Sequence, residues 1–520
     1  MQHQSIAPAS ASSYFRLRTA VADLWSSPLA IVLLTALLIV AVNPLGYRGG
    51  GADDWHYLSA ARCAAEQGFC LPGDHWARRF PLVLPSGAAL ALFGETRLGL
   101  WIVPLIYSVG ALSLFVLIVQ RQFGRLEATL AGLALVGTPI MIERVLEMTA
   151  DMTEFALVVA AVFCVQSCHR KGSAGWLAAA GAMLALAIQA RPTTLPLVPV
   201  FGLGILLVPA LRRHLFAFAL GFILPIALEA LAYAVWAADP MLSWKLSLGH
   251  TRIPTSELPR SLDLSQSPLF NIAYIDGWAP AAGIKAHWTV KALINLVVHP
   301  AIGLTLTCAV IFSLLNRRKL GSAAVGGWLL PFLAGSAVFL FGALVFGLAI
   351  DPKPRMFLAI AAVACVLFGV LAARNWREGS RALAIVCILM MLGRSATAIY
   401  YRPDPQAAGA VAAAWIAAEP AGSVSIDELS TQFLTLTPQV RALPVHPAPG
   451  ARHMLLLAPL SCEKSIEFLE YHDWRTRKVH RIAAPEPQLI RRLRDRGLFP
   501  GEPFVSNLCL LDRTGGAPTR

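Results

Sequence analysis

Charged residues are scarce in this chain. Only 14% of its 520 residues are Asp, Glu, Lys or Arg, whereas 56% are hydrophobic and the mean hydropathy is +0.61. A water-soluble core does not need so many apolar side chains, and uncharged runs of about 20 residues are long enough to cross a bilayer. The composition therefore excludes an ordinary soluble protein and predicts a polytopic membrane protein.

Motifs of several common soluble classes are also missing. The sequence has no glycine-rich phosphate loop, no zinc-ligand spacing and no nucleic-acid-binding motif. Its net charge of +13, from 43 basic and 30 acidic residues, would suggest nucleic acid in a soluble protein. Here the basic residues cluster in short loops between apolar runs, where they orient membrane helices. We therefore predict a lipid bilayer as partner and no nucleic acid.

Eleven apolar runs predict eleven transmembrane helices. They cover about 28–46, 97–120, 126–142, 152–168, 174–190, 193–210, 215–237, 291–315, 322–350, 355–373 and 382–400. The first run is longer than a typical signal-peptide core and lacks a convincing cleavage site, which favours a retained helix over a cleaved signal. The predicted organisation is a cytoplasmic segment (1–27), an all-α membrane domain (28–402) and a C-terminal region (403–520).

Basic residues mark alternate loops between these runs. They are Arg16 and Arg18, Arg121 and Arg125, Arg170 and Lys171, Arg212 and Arg213, Arg317 to Lys319, and Arg374 to Arg381. The positive-inside bias predicts that these loops are cytoplasmic. The loop around Asp53, the 143–151 turn, the 238–290 loop, residues 351–355 and the tail then face outward. This assignment depends on a break in the chain at 189–192.

The composition changes after residue 403, where apolar runs shorten and charge and proline increase. The pattern predicts a helix at 406–418, strands at 423–427, 440–445, 454–457 and 505–511, and a basic helix at 488–496. Alternation of this kind favours a small α/β domain on the outer face. It contains no recognisable catalytic constellation.

Nine cysteines fall into two groups. Five lie in apolar runs, where we predict packing roles; they are Cys164, Cys168, Cys308, Cys365 and Cys387. Cys63 and Cys70 share the first outward loop, and Cys462 and Cys509 share the tail. An oxidising outer compartment would permit one disulfide in each pair.

Acidic residues occur at three outward places. The first is the Asp53–Asp54 pair, which is followed by aromatic residues. The second is Glu147, Asp151 and Glu154, whose spacing of four and three would put them on one face of a helix. The third is Asp351. A carboxylate near a membrane groove is a candidate general base; helix capping and solvated turns are the alternatives.

Three outward cations lie nearest to the ends of apolar runs: Arg191, Lys353 and Arg355. A cation there can bind a phosphate and stabilise it as a leaving group. The alternative for Arg355 is a side chain that reaches from a helix end to the lipid headgroups.

The first outward loop carries a longer motif. It runs Asp53-Asp54-Trp55-His56-Tyr57, then Asp74-His75-Trp76-Ala77-Arg78-Arg79-Phe80-Pro81, with Pro85 and Leu92-Phe93-Gly94. This motif resembles the GT-C-fold glycosyltransferases, specifically the group similar to dolichyl-phosphate-mannose–protein mannosyltransferases and bacterial aminoarabinose transferases. The resemblance extends over about residues 28–400 and includes Asp151, Arg191-Pro192 and Pro354-Arg355-Met356-Phe357.

The resemblance implies transfer of a sugar from a polyprenyl-phosphate carrier to a lipid, glycan or protein acceptor, with inversion, on the periplasmic face of a bacterial inner membrane. Asp53 matches the catalytic acid, Asp54 stands where many members have Glu, and Asp151 is the second acid. Together with the acids and cations selected above, the candidate substrate-binding residues are Tyr57, His75, Arg78, Arg79, Glu147, Glu154, Arg191, Lys353 and Arg355. Most relatives use no metal, and a divalent cation is left open.

A transporter or flippase of a lipid-linked or amphiphilic solute is the alternative. Such proteins usually carry charge or broken helices near the bilayer midplane and contain two related halves. Arg394, inside the last apolar run, fits that class, but the sequence has no clear internal repeat and its acids cluster at one face. A non-catalytic assembly subunit is a third alternative.

Overall fold

The structure is a computed structural model. It describes residues 27–42, 52–68, 70, 75–145, 147–250, 274–276, 285–287, 296–297, 299, 301–317, 327–344, 354–400, 405–427, 430–431, 434, 437–446, 448, 450–458, 461–483, 492, 496 and 505–514. Within these ranges the chain is mostly helical up to residue 417, and a small β-sheet follows.

Sixteen helices form the apolar region of the described chain. They are α1 (Pro28–Val42), α2 (Ala52–Gln67), α3 (Phe80–Phe93), α4 (Arg97–Gln122), α5 (Arg125–Val136), α6 (Pro139–Glu143), α7 (Ala150–Lys171), α8 (Ala174–Ala190), α9 (Leu197–Leu207), α10 (Pro209–Arg212), α11 (Leu215–Ala237), α12 (Leu242–His250), α13 (Gly303–Leu315), α14 (Leu329–Gly342), α15 (Leu358–Arg377) and α16 (Arg381–Tyr400). Short 3-10 turns occur at Pro192–Thr194 and Pro354–Phe357.

By length and composition, four helices among the described residues can cross a membrane: α4, α7, α11, and α15 with the turn before it. Most of the other predicted runs coincide with shorter apolar helices, including α1, α8, α9, α13 and α14. The predicted run at 126–142 is divided into α5 and α6, because Pro139 has no N–H for the helix to continue through it. The break at 189–192 is present, since α8 ends at Ala190 and α9 begins at Leu197.

The first outward loop is a packed pair of helices, α2 and α3. Tyr57, Leu58 and Ala61 of α2 are buried against Leu82 and other side chains of α3 and α4. A Cβ atom at Gly87 would lie 2.8 Å from the Cβ of Ala64, so glycine permits this close approach. The helix predicted at 58–66 is confirmed; α3 was not predicted, because its 14 residues are shorter than a membrane span.

Loops with basic residues meet at one end of the helix bundle. Arg121 donates to the hydroxyl of Ser167 over 3.3 Å, and Arg377 forms an ion pair with Glu127 at 2.6 Å. A Cβ atom at Gly172 would lie 3.0 Å from the guanidinium of Arg213. Since α7 runs from Ala150 to Lys171, its other end lies about 30 Å away.

Beyond α17 (Pro405–Ala417), the chain forms a sheet with the strand order β3-β4-β6-β5. The strands are β3 (Val424–Ile426), β4 (His453–Ala458), β5 (Trp474–Ala483) and β6 (Val505–Arg513), and α18 (Pro438–Arg441) and α19 (Cys462–Phe468) lie between them. Strands β3 and β4 are parallel, and the other neighbours are antiparallel. Two further strands, β1 (Tyr274–Asp276) and β2 (Lys285–His287), pair antiparallel in the 238–290 loop.

Three of the four predicted strands and the helix at 406–418 are confirmed in this region. The strand predicted at 440–445 is wrong: α18 occupies its start, and Val445 makes only an isolated bridge with Ile426. Strand β5 was not predicted, because its many basic residues interrupt the alternation of apolar and polar side chains. It is an edge strand of the sheet, and charged residues are common on edge strands. Most of the predicted helix at 488–496 lies outside the described residues.

The two disulfides that the sequence left open are both present. Cys63 is bonded to Cys70 at the end of α2, and Cys462 of α19 is bonded to Cys509 of β6. The five cysteines in apolar helices are free and buried, as expected for packing residues.

Candidate functional site

A buried ionic cluster lies at the end of the bundle opposite the basic loops. Helix α7 begins at Ala150, so Asp151 is in its first turn and Glu154 starts the second. Arg191 directly follows α8 in the extended conformation that a following proline favours. Its guanidinium forms an ion pair with Asp151 and lies 3.6 Å from a carboxylate oxygen of Glu154. Asp151 and Arg191 are each 5% exposed, and Thr194 donates a hydrogen bond to Glu154.

A pocket of about 360 Å³ opens beside this cluster. Asp151, Glu154 and Thr193 line one side, and Arg355, from the 3-10 turn before α15, lines another. Three segments that are distant in sequence (151–154, 191–193 and the turn with Arg355) therefore share one site, since Arg191 is joined to it through Asp151.

A second pocket, of about 630 Å³, continues from the first into the helix bundle. Both pockets are lined by Phe155, Val158, Leu197, Leu340 and Ala359. Ser336 is the one polar residue on the wall of the larger pocket, which is otherwise aliphatic and aromatic. A charged compartment thus adjoins an apolar one, an arrangement suited to an amphipathic molecule.

Tyr57 and Arg79 extend the site toward the first outward loop. A guanidinium nitrogen of Arg79 donates to the Tyr57 hydroxyl, and the Arg79 Cζ atom lies 5.2 Å from the ring centroid. Arg79 is also close enough to Glu154 to interact with it electrostatically. The α2–α3 pair therefore presents a cation to the ionic cluster.

A second buried polar network holds Arg78. Its guanidinium donates to the Ser243 hydroxyl over 2.6 Å, and Ser243 donates to Glu229 over 2.8 Å. The amide of Gln189 donates to the other Glu229 oxygen at 3.1 Å. Burial lowers the pKa of Arg78, and the nearby Glu229 opposes this change. The sequence analysis missed Ser243 and Glu229, although Glu229 is the one charged residue in its apolar run.

Two predicted residues lie in other surroundings. His75 packs against Trp76 with ring centroids 3.7 Å apart, and His56 stacks on Trp76 at 3.9 Å. Glu147 precedes α7 and forms an ion pair with Arg144. The expectation that Glu147, Asp151 and Glu154 share one helical face is therefore wrong for Glu147, because α7 does not begin until Ala150.

The remaining predicted groups are only partly described. Asp53 and Asp54 belong to the first turn of α2, but their side chains lie outside the described residues. Asp351 and Lys353 lie wholly outside them. Among the described residues, no three His, Cys, Asp or Glu side chains are grouped so that they could hold a metal ion.

Comparison with known proteins places this geometry in context. Residues 86–244 match the family model described as dolichyl-phosphate-mannose-protein mannosyltransferase. No curated protein sequence matches the chain significantly. ArnT from Cupriavidus metallidurans bound to undecaprenyl phosphate matches at a TM-score of 0.52 and 13% identity, over 93% of this chain and 97% of ArnT.

Two further solved structures are similar. ArnT in its apo state gives a TM-score of 0.52 at 13% identity, over 98% of this chain and all of ArnT. The Archaeoglobus fulgidus oligosaccharyltransferase in the apo form gives 0.49 at 16% identity, over 80% of this chain and 61% of that protein. The family match over residues 86–244 and the ArnT likeness support the resemblance seen in the sequence: the chain is a multi-pass membrane protein with the fold of ArnT, the GT-C fold.

Proposed function

We propose that the chain is an integral membrane glycosyltransferase that moves a sugar from a polyprenyl-phosphate carrier to an extracytoplasmic acceptor. The observation that carries this proposal is the charged pocket with Asp151, Glu154 and Arg355 beside an apolar pocket of about 630 Å³. A carrier of this class has a phosphate at one end and a long hydrocarbon chain at the other. The carrier bound in the ArnT structure belongs to the same chemical class.

The charged residues of the site have opposite signs, which suits the binding of a donor phosphate and of an acceptor. Arg355 and Arg79 bind the phosphate and stabilise its negative charge as the bond to the sugar breaks. Arg191 is held by two carboxylates, so its main role is to fix Asp151 and Glu154. Asp151 orients the acceptor or a divalent cation, and Lys353 completes the substrate-binding set.

Asp53 acts as the general base in this proposal. An acceptor hydroxyl or amine attacks C1 of the sugar, its proton passes to Asp53, and the bond from C1 to the phosphate oxygen breaks with inversion. The products are the glycosylated acceptor and the polyprenyl phosphate. Asp53 precedes Tyr57 by one turn of α2, and Tyr57 contacts Arg79, which supports a position near the ionic cluster. Asp54 is the alternative base.

Two features support an outward-facing site. The basic loops meet at the opposite end of the bundle, as expected for a cytoplasmic side. The disulfides Cys63–Cys70 and Cys462–Cys509 lie in segments predicted to face outward, where oxidising conditions preserve such bonds. We infer that residues 403–520 form an extracytoplasmic α/β domain on a bacterial inner membrane.

The test is the variant Asp53→Asn in vesicles supplied with a labelled polyprenyl-phosphate sugar and an envelope extract as acceptor. Loss of the base should lower transfer about 10²–10⁴-fold, whereas binding of undecaprenyl phosphate should persist. Asp239→Asn is the matched control, because Asp239 pairs with the exposed Lys245 and should transfer normally. Full transfer by Asp53→Asn would contradict its assignment as base.

A further inference from the structure

The network of Arg78, Ser243 and Glu229 lies outside the pocket walls described above, yet it is deeply buried. Arg78, Ser243 and Glu229 are 3%, 1% and 7% exposed. Their side chains come from the turn before α3, the start of α12 and the outward half of α11. A buried cation and a buried carboxylate are costly to desolvate, so their retention calls for a specific role.

The direction of the hydrogen bonds shows how the network works. Arg78 can only donate, and it donates to the Ser243 oxygen. The Ser243 proton is thereby directed to Glu229, whose second oxygen accepts from Gln189. One hydroxyl therefore links the cation to the carboxylate, and removing it would separate both from their partner. Chains of this kind strengthen one another in a low dielectric.

Arg78 is covalently next to Arg79, and the two side chains serve different surfaces. Arg78 is fixed toward α11 and α12, while Arg79 contacts Tyr57 and interacts with Glu154. Backbone hydrogen bonds from Arg79 to Trp76, at 3.1 Å, and from Phe80 to Arg78, at 2.8 Å, make the turn between them tight. Fixing Arg78 therefore also fixes the backbone from which Arg79 extends.

We propose that Ser243 and Glu229 are positioning residues: they anchor Arg78 so that Arg79 points into the ionic cluster and binds the carrier phosphate. This inference rests on the proposed function for the identity of the anion. It also assigns a role to α12: the helix that begins the long outward loop is joined through a single hydroxyl to Arg78, the residue next to the phosphate-binding Arg79.

The experiment measures binding of undecaprenyl phosphate to the full chain in nanodiscs. Ser243→Ala should weaken binding roughly tenfold, the effect of losing one hydrogen bond to a charged group. Ser243→Thr keeps the hydroxyl and should restore binding. Ser247→Ala is the matched control: Ser247 is one turn farther along α12, and its hydroxyl donates to the carbonyl of Ser243 at 3.0 Å. It should bind normally.

A double-variant cycle separates positioning from general stability. If Ser243 acts through Arg79, Ser243→Ala combined with Arg79→Gln should bind no worse than Arg79→Gln alone. Additive losses, or unchanged binding by Ser243→Ala, would overturn the inference. Amide exchange at residues 75–80 gives a readout without ligand and should accelerate in Ser243→Ala but not in Ser247→Ala. If amide exchange is faster in Ser243→Ala but the unaltered protein does not bind undecaprenyl phosphate, the positioning role of the network stands and the proposed carrier is wrong. If exchange is unchanged in Ser243→Ala, the positioning role of the network is wrong.

Discussion

At the scale of single residues, Arg191 is the group on which the ionic cluster depends. Its guanidinium forms ion pairs with both Asp151 and Glu154, and the residue is itself 5% exposed. Water cannot replace it readily at that depth. Arg191 is therefore the cation that the two carboxylates share.

Replacing Arg191 with Gln should destabilise the protein by about 3–5 kcal/mol, because it leaves two carboxylates without their buried cation. The measurement is the thermal unfolding midpoint of the purified protein in detergent. Lys245→Gln is the control, since its ion pair with Asp239 is exposed and should contribute less than about 1 kcal/mol. Equal shifts in the two variants would contradict the role given to Arg191.

His446, between β3 and β4, should make the C-terminal sheet sensitive to acid. It is surrounded by the rings of Tyr471 and Trp474, each 5.3 Å away. Burial lowers the pKa of His446, with Asp427 acting against this and Arg513 adding to it. The unfolded chain therefore binds the proton more readily, and stability that is fully present above about pH 6.5 is lost as the pH falls from that value through the lower pKa of the folded state.

The check on His446 is hydrogen exchange of β4 and β6 at pH 7.5 and 5.5, corrected for intrinsic rates. His446→Gln cannot titrate and should lose less protection on acidification than the unaltered protein. Parallel losses in both proteins would count against the prediction.

For single residues, the sequence showed which charged side chains belong to the site but not which side chains they contact. Asp151, Glu154, Arg191 and Arg355 could be selected because charge is rare at the ends of apolar runs. Their pairing could not be derived, since it depends on how α7, α8 and α15 pack. Ser243 was missed for a related reason: an isolated serine carries no pattern, and only its neighbours in space give it a role.

At the scale of helices, glycine determines how closely α8 and α11 approach. A Cβ atom at Gly221 would overlap the carbonyl oxygen of Ala178, and one at Gly181 would overlap that of Phe218. Gln189 and Glu229, which hydrogen-bond to each other, lie about two turns farther along the same helices. Close packing at the glycines therefore supports the polar contact near the site.

Gly221→Ala should destabilise the protein by about 1–3 kcal/mol, because backbone atoms must move to admit the methyl group. Gly202→Ala in α9 is the control: nothing lies within 4 Å of the new Cβ, and better helix propensity should make it neutral or slightly stabilising. Thermal unfolding of both variants checks the prediction, and an unchanged midpoint for Gly221→Ala would contradict it.

The Cys462–Cys509 disulfide should contribute about 4 kcal/mol to the C-terminal sheet in the chain-entropy view, since its cysteines are 47 residues apart. Replacing both with Ala should raise amide exchange in β4 and β6. The Cys63–Cys70 pair, separated by 7 residues, offers a control in a different segment: its removal should leave exchange in that sheet unchanged. Equal amide protection of β4 and β6 with and without the Cys462–Cys509 disulfide would contradict the prediction.

Helix boundaries could be predicted where the apolar pattern alone decides them, and the prediction failed where that pattern and proline give different answers. Strong apolar runs located α4, α7 and α11. The division between α5 and α6 was missed because the apolar pattern continues across Pro139 while the backbone hydrogen bonding does not.

At the scale of the whole molecule, the described chain has a polar cluster and a basic rim at opposite ends of its helices. The C-terminal region contacts the first outward loop, since Arg441 pairs with Glu95, which also accepts from Arg62 at 2.6 Å. The sequence anticipated this polarity through the alternation of basic loops, although it could not reveal the contact.

A reporter fused after residue 520 tests the orientation. Alkaline phosphatase, which needs an oxidising compartment, should be active there, and a fusion after Lys171 should be inactive. The reverse pattern would place the ionic cluster on the cytoplasmic side and would be incompatible with an extracytoplasmic acceptor.

The strand order β3-β4-β6-β5 has a consequence for biosynthesis. Strand β6, the last of the four to leave the ribosome, is an inner strand, and among the described residues it is the one neighbour of β5. A nascent chain that has reached residue 483 therefore displays unpaired edges on both β4 and β5. We expect stalled or truncated products to be captured by chaperones and degraded, and the sheet to close only after synthesis has passed Arg513.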